Sequence, residues 1–185
     1  MEYLYKTVDS PVGKLTLVAK GEELAAILWE NERPGRVRLG SMREAVDDPT
    51  LDEVERQLGE YFTGERSRFD VPLCFVGTDF QKKVWRALLD IPYGETRTYS
   101  EIAVKIGNAK AVRAVGAANG RNPISIIAPC HRVIGASGAL TGFAGGLPAK
   151  ETLLSLEGVR WDTGPRRKSA TSEERDSSQV ELFVP

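Results

Sequence analysis

The hydrophobic positions run first in strand-like blocks and then at helical spacing. Residues 3–8 and 14–19 carry aromatic and β-branched side chains on either side of Asp9-Ser10-Pro11-Val12-Gly13, which predicts a β-hairpin. Residues 23–29 predict a third strand. Residues 33–49 are rich in charge, Gly and Pro, and predict a loop with one helical turn. The period then changes: Leu51, Val54, Leu58, Tyr61 and Phe62 recur at helical spacing, and Thr63-Gly64-Glu65 ends that helix. Residues 1–72 therefore predict a small N-terminal α/β sheet domain. No chemistry is visible in it, and its expected role is that of a packing partner.

From Gly77-Thr78-Asp79 onward the pattern is mainly helical. Thr78 or Asp79 is placed to cap a helix whose apolar stripe is Phe80, Val84, Trp85, Leu88 and Leu89, and Ile91-Pro92-Tyr93-Gly94 ends it. A short helix capped near Thr98 runs to Ile106, Gly107-Asn108 turns the chain, and a second helix is predicted over 109–119. Helix, short Gly-containing turn, helix is the helix-turn-helix pattern, which many helical hairpins share without binding anything. Ile126-Ile127-Ala128 read as part of a buried strand leading to Cys130. Residues 135–146 hold five glycines and predict a loop that lines a pocket, followed by a helix over 148–156. The expected architecture is α/β and two-domain: the N-terminal sheet domain at 1–72, and a mainly helical, winged-helix-like domain with the helix-turn-helix at 73–163. Residues 164–185 are charged and Ser-rich before a short apolar end, and predict a disordered tail.

Charge narrows the partners. The 185-residue chain has a formal net charge of -1, so any nucleic-acid contact must come from local clustering. Lys105, Lys110, Arg113 and Arg121 form such a cluster around the second helix of the pair. That helix also carries small residues, Ala111, Ala114, Gly116, Ala117 and Ala118, which allow close backbone approach either to a neighbouring helix or to a groove. No apolar run is long enough to span a membrane, and the first residues lack the pattern of a signal peptide, so a cytoplasmic protein with no membrane contact is expected. Two cysteines and one histidine do not make a closed zinc site, so no metal and no other cofactor is expected.

The chemistry concentrates at Cys130, whose immediate neighbour His131 is the only histidine. A thiol beside an imidazole is a candidate activated nucleophile, because the thiolate attacks and a base with an orienting group can supply it. A free cysteine is equally often a small buried hydrophobe. Proximity alone does not decide between the two.

Longer motifs carry a resemblance. Arg113-Ala-Val-Gly-Ala-Ala-Asn-Gly-Arg-Asn122-Pro123, then Pro129-Cys130-His131-Arg132-Val133, Thr141-Gly-Phe143-Ala-Gly-Gly-Leu147 and Lys150-Glu-Thr-Leu-Leu-Ser-Leu-Glu157-Gly158 resemble the methylated-DNA–protein-cysteine methyltransferases, also called O6-alkylguanine-DNA alkyltransferases. The resemblance is strong from Phe80 to Gly158 and looser over residues 1–72. It implies direct-reversal repair: the alkyl group of O6-alkylguanine, and also of O4-alkylthymine, moves irreversibly to Cys130, once per molecule. It implies that His131 takes the thiol proton through a water, that Glu157 holds and charge-balances His131, and that Asn122 joins the recognition helix to the active-site strand. The target base is flipped out of the duplex. By the same resemblance, Arg113 would fill the gap, Tyr99 would crowd the 3′ phosphate, and Ala114, Gly116, Ala117 and Arg121 would lie along a minor groove. The resemblance also implies that Tyr99, Val133, Phe143 and Ala144 line the base pocket. Phe143 stands where the family often has a tyrosine, so a phenol donor is absent there. The implied partner is duplex DNA bound largely without sequence preference by a monomer. Several relatives bind zinc in the first domain through Cys and His, and residues 1–72 contain neither.

Two other readings compete. A helix-turn-helix protein with an inert Cys130 would bind alkylated DNA and remain unmodified. A cysteine hydrolase would turn over, although adjacent Cys and His rarely form such a dyad. Separately, residues 179–183 (Gln-Val-Glu-Leu-Phe) resemble the short peptide with which bacterial proteins dock on the DNA polymerase sliding clamp.

Overall fold

A computed structural model describes residues 2–161. The expected tail at 164–185 and the clamp-like segment at 179–183 lie outside the described residues. The first unit is a four-stranded sheet in the order Glu23–Trp29 (β3), Leu15–Lys20 (β2), Tyr3–Val8 (β1), Met42–Glu44 (β4), with one helix against it. Strands β1 (Tyr3–Val8) and β2 (Leu15–Lys20) form the expected antiparallel hairpin, in register from Leu4↔Ala19 to Val8↔Leu15. β3 (Glu23–Trp29) continues it antiparallel, with a bulge at Val18/Ala19. Helix α1 (Pro49–Phe62) starts under an Asp48 cap and buries Leu51, Val54, Leu58 and Tyr61 on the sheet.

One expectation fails in this unit. The 33–49 region holds no helical turn; Met42–Glu44 instead pairs in parallel with Tyr3–Tyr5 as edge strand β4. All three residues are exposed, so no hydrophobic pattern announces the strand. Backbone hydrogen bonding to the free edge of β1 is what places it.

The second unit is helical. Helix α2 (Asp79–Leu89) is capped by Thr78, whose hydroxyl and backbone exchange hydrogen bonds with Gln81. It buries Val84, Trp85, Ala87 and Leu88; Leu89, expected in the stripe, is exposed. Strand β5 (Arg97–Thr98) leads into α3 (Tyr99–Lys105), where Thr98 and Glu101 form a second capping box. The second helix of the pair, α4 (Val112–Asn119), begins later than expected, because a turn closed by Ala111 N–H to the Asn108 carbonyl occupies 108–111. Strand β6 (Val133–Ile134) pairs in parallel with β5, and α5 (Gly146–Leu156) closes the unit.

The approach to Cys130 is not a strand. Ile124 makes a single bridge to Ile27, then the chain turns, and Cys130–Arg132 form a 3-10 helix. Asn122 explains the departure. Its Oδ1 accepts from Ile124 N–H at 3.0 Å and its Nδ2 donates to the Ala128 carbonyl at 2.7 Å, taking backbone groups that a ladder would use. Ile126 adopts a φ of 75°, a left-handed conformation that costs a β-branched residue strain. The run is apolar because it is core between the two units: Ile124 and Ile126 are wholly buried and pack with β2, β3 and α1.

Candidate active site

Cys130 sits at the head of the 3-10 turn with only 2% of its surface exposed. Its Sγ donates to Ser125 Oγ at 3.9 Å, and Ser125 Oγ accepts from Trp29 Nε1 at 3.3 Å. The thiol is thus tied through Ser125 to the end of β3. Next to it His131 is fully buried, with Nε2 2.7 Å from Glu157 Oε1.

Glu157 follows α5, where its N–H bonds back to Leu153. Its carboxylate is saturated. Oε1 accepts from His131 Nε2, from Tyr61 Oη at 2.6 Å and from Arg132 Nη2 at 3.0 Å; Oε2 accepts from Arg132 Nε at 2.8 Å and from the Gly94 N–H at 3.2 Å. The third guanidinium nitrogen of Arg132, Nη1, donates to the Ile91 carbonyl at 2.6 Å. This is the arrangement a buried charge requires: a paired partner and every lone pair used.

Burial works against the Glu157 charge, but the hydrogen bonds from His131 and Arg132 outweigh it and hold the carboxyl at about 2. An ionised Glu157 only accepts, so the facing Nε2 carries the imidazole proton. Nδ1 is then the basic atom of the neutral ring, and it has no hydrogen-bond partner among the described residues. Burial pushes the His131 pKa down despite Glu157, and pushes the Cys130 thiol up despite hydrogen bonds with Asn122 and Ser125. The resting pair is therefore thiol and neutral imidazole. A neutral His131 is in the form that can accept a proton from the thiol.

Asn122 lies between α4 and Cys130. Its N–H bonds the Asn119 carbonyl at 3.2 Å, while its side chain closes the 124–128 turn. Arg36 of the first unit, buried and paired with Glu32, donates to the Asn122 carbonyl and to Ile27 O. Tyr99, the first residue of α3, is half-buried against Gly116, and its Oη is 2.6 Å from Thr141 Oγ1, which ties the helix pair to the Gly-rich loop. Arg113, Ala114, Ala117 and Arg121 are exposed on or beside α4, and Gly116 is half-buried. Ala118, expected on the same small face, belongs to the core, where its carbonyl accepts from Trp85 Nε1 at 2.8 Å. Of the basic cluster, Lys105 is already paired with Asp90 at 2.9 Å. In the loop Phe143 meets Trp29 edge-on at 5.3 Å and His131 at 6.4 Å, with Ala144 half-buried beside it. Val133 is buried, and its carbonyl accepts from Lys150 Nζ at 2.6 Å.

Sequence reasoning missed Trp29, Arg36, Tyr61, Ser125 and Lys150, and gave Arg132 no role. Lys150 left a signal: a lysine four residues before Leu154 on the buried face of α5. It is wholly buried, which lowers its pKa to about 8. Trp29 and Tyr61 left none, because in sequence they look like any core aromatic.

Known proteins resemble this chain along most of its length. Residues 3–75 match the family model described as 6-O-methylguanine DNA methyltransferase, ribonuclease-like domain, and residues 79–159 the one described as its DNA binding domain. The methylated-DNA–protein-cysteine methyltransferase of Mycobacterium tuberculosis H37Rv is 52% identical over 162 residues, covering 84% of this chain and 93% of that one. That of Methanosarcina acetivorans is 53% identical over 155 residues, covering 83% and 97%. Among solved structures, M. tuberculosis OGT in complex with DNA matches with a TM-score of 0.75 and 50% identity, over 85% of this chain and 92% of that one.

Proposed function

The chain belongs to the methylated-DNA–protein-cysteine methyltransferase family, and we propose that Cys130 is its alkyl acceptor, activated by His131 and Glu157. The protein is a DNA-repair transferase that removes the alkyl group from O6-alkylguanine by direct reversal. The observation that carries the residue assignment is the buried His131–Glu157 pair, neutral base on ionised carboxylate, placed immediately after a buried thiol.

In the proposed step, Sγ of Cys130 bonds to the alkyl carbon as that carbon's bond to O6 breaks. The thiol proton passes through a water to His131 Nδ1, is then released to solvent, and guanine N1 takes up one proton in exchange, so the products are a thioether, unmodified guanine and neutral His131. Glu157 stabilises the imidazolium while it lasts. The thioether has no hydrolytic route back, which limits each molecule to one turnover. O4-alkylthymine presents the same alkyl–oxygen bond and is a second substrate on this reading.

Tyr99, Arg113, Ala114, Gly116, Ala117 and Arg121 make the DNA face. The exposed Ala114 and Ala117 beside Arg113 suit close approach to a minor groove, with Arg113 replacing the flipped base. Val133, Phe143, Ala144 and Tyr99 wall the base pocket, and Asn122 sets the spacing between α4 and Cys130. On this reading the domains are 1–72 and 73–163, followed by a tail at 164–185, and the protein acts as a cytoplasmic monomer. The segment 179–183 is proposed as a sliding-clamp contact; unchanged clamp affinity after deletion of residues 179–185 would end that idea.

The decisive experiment mixes the protein with a duplex carrying O6-methylguanine and reads the intact mass, with Cys130→Ser as control. A gain of one CH2 per chain, located at Cys130 and absent in the control, is expected. Duplex binding with no mass change would return Cys130, His131 and Glu157 to structural roles.

A further inference from the structure

The sheet domain reaches into the active site. Tyr61 lies near the end of α1, is wholly buried, and donates through Oη to Glu157 Oε1 at 2.6 Å. That oxygen is the one that accepts from His131 Nε2 at 2.7 Å. Tyrosine and carboxylate are 96 residues apart in sequence and belong to different units. The Tyr61 ring is fixed by edge contacts with Phe62 at 5.4 Å and Tyr93 at 6.1 Å, and by a tilted contact with Phe69 at 5.3 Å. The ring is therefore held by aromatic side chains of both units, with its hydroxyl directed at Glu157.

We propose that Tyr61 is a positioning residue for alkyl transfer: by competing with His131 for Glu157 Oε1 it sets how strongly the carboxylate holds the imidazole, and so the basicity of His131. The inference rests on the reading of His131 as the base for Cys130. A phenol donating to Oε1 draws carboxylate charge toward itself and weakens the Nε2–H bond to the same atom. Tyr61 stays a donor, because burial and the neighbouring Glu157 charge raise its pKa far above the ordinary phenol value. The other titratable groups facing the pair are Arg132 from the 3-10 turn, Cys130 beside it, Lys150 from α5 and Tyr93 from the loop after α2. Of the two tyrosines only Tyr61 touches the carboxylate; Tyr93 donates to the Leu156 carbonyl at 3.0 Å.

The chain's single histidine makes the test clean, since one imidazole signal reports the site. Tyr61→Phe keeps the ring and its packing and removes only the donor. In that variant the His131 Nε2 proton resonance is expected to move downfield and the His131 pKa to rise by about one unit, a typical change for one neighbouring hydrogen bond. The acid limb of the single-turnover alkyl-transfer rate should move to higher pH by the same amount. Tyr93→Phe should leave the resonance and the pKa unchanged. An unmoved Nε2 proton in Tyr61→Phe would overturn the proposal. So would an upfield shift with faster exchange, which marks a loosened core, or an equal shift in Tyr93→Phe. The NMR arm needs no DNA, so a wild type that fails to transfer an alkyl group would sink the family chemistry here without being mistaken for failure of the Tyr61 coupling.

Discussion

Replacing Glu157 with Gln removes the charge on which the active-site network converges. The carboxyl is held at about 2 against an ordinary value of 4.5. At about 1.4 kcal/mol per unit, that displacement corresponds to roughly 3 kcal/mol of folding stability. An independent estimate agrees: removing one partner of a buried ion pair costs about 3–5 kcal/mol, here because Arg132 would be left buried and uncompensated. The sign follows from the folded carboxyl lying below the unfolded one. The stabilisation is fully present above the unfolded value of about 4.5 and is lost as pH falls toward the folded value of about 2. The measurement is urea unfolding, followed by tryptophan fluorescence, of wild type and Glu157→Gln at pH 7, 5 and 3. Other carboxylates titrate equally in both proteins and cancel, so the difference reports Glu157 together with the His131 that it holds. We expect wild type to lead by roughly 3 kcal/mol at pH 7 and by about 2 kcal/mol less at pH 3. A gap that stays the same from pH 7 to pH 3 would refute the network as described. The alkylation rate should fall about 10²–10⁴-fold in the variant, the usual contribution of a positioned base, since Glu157 is what raises His131's basicity against burial.

Three further outcomes follow from the same structure. Because Arg113 is read as filling the gap left by a flipped base, Arg113→Ala should weaken duplex binding with an unchanged salt dependence, as measured by titration across salt concentrations; a slope reduced by about one would place the guanidinium on a phosphate instead. Lys150 is charged in a wholly buried place at about 8, so its folded pKa lies below the unfolded 10.5 and stability should rise with pH between them. Comparing unfolding of wild type with Lys150→Met, the difference should move in wild type's favour by roughly 2 kcal/mol from pH 7 to pH 10. Gly145→Ala should cost about 1–3 kcal/mol, because a Cβ there would lie 2.6 Å from the Trp29 ring and must displace it. The same shift would pull Trp29 Nε1 away from Ser125, so thiol alkylation by a small electrophile should change as well.

What can be read from the chain without its fold is local. Thr78 with Gln81 and Thr98 with Glu101 announce two helix starts, since a capping box is completed within four residues. The hairpin, the apolar face of α1 and the adjacency of Cys130 and His131 are legible for the same reason, and the resemblance of the motifs located Glu157. The tertiary structure decided the rest. Edge strand β4 has no buried residue to betray it and exists because β1 offers a free edge. The Cys130 approach reads as a strand by apolar content, yet Asn122 takes its backbone groups and Ile126 turns it, so that its hydrophobicity serves burial between two units and not pairing in a ladder. Trp29 and Tyr61 have the spacing of core aromatics, and only packing against residues about a hundred positions away turns one toward Ser125 and the other toward Glu157. The protonation states belong to this second class too. A thiol, an imidazole and a carboxylate carry ordinary pKa values in the chain; burial shifts the first two toward their neutral forms, and His131 and Arg132 of the 3-10 turn keep the third ionised.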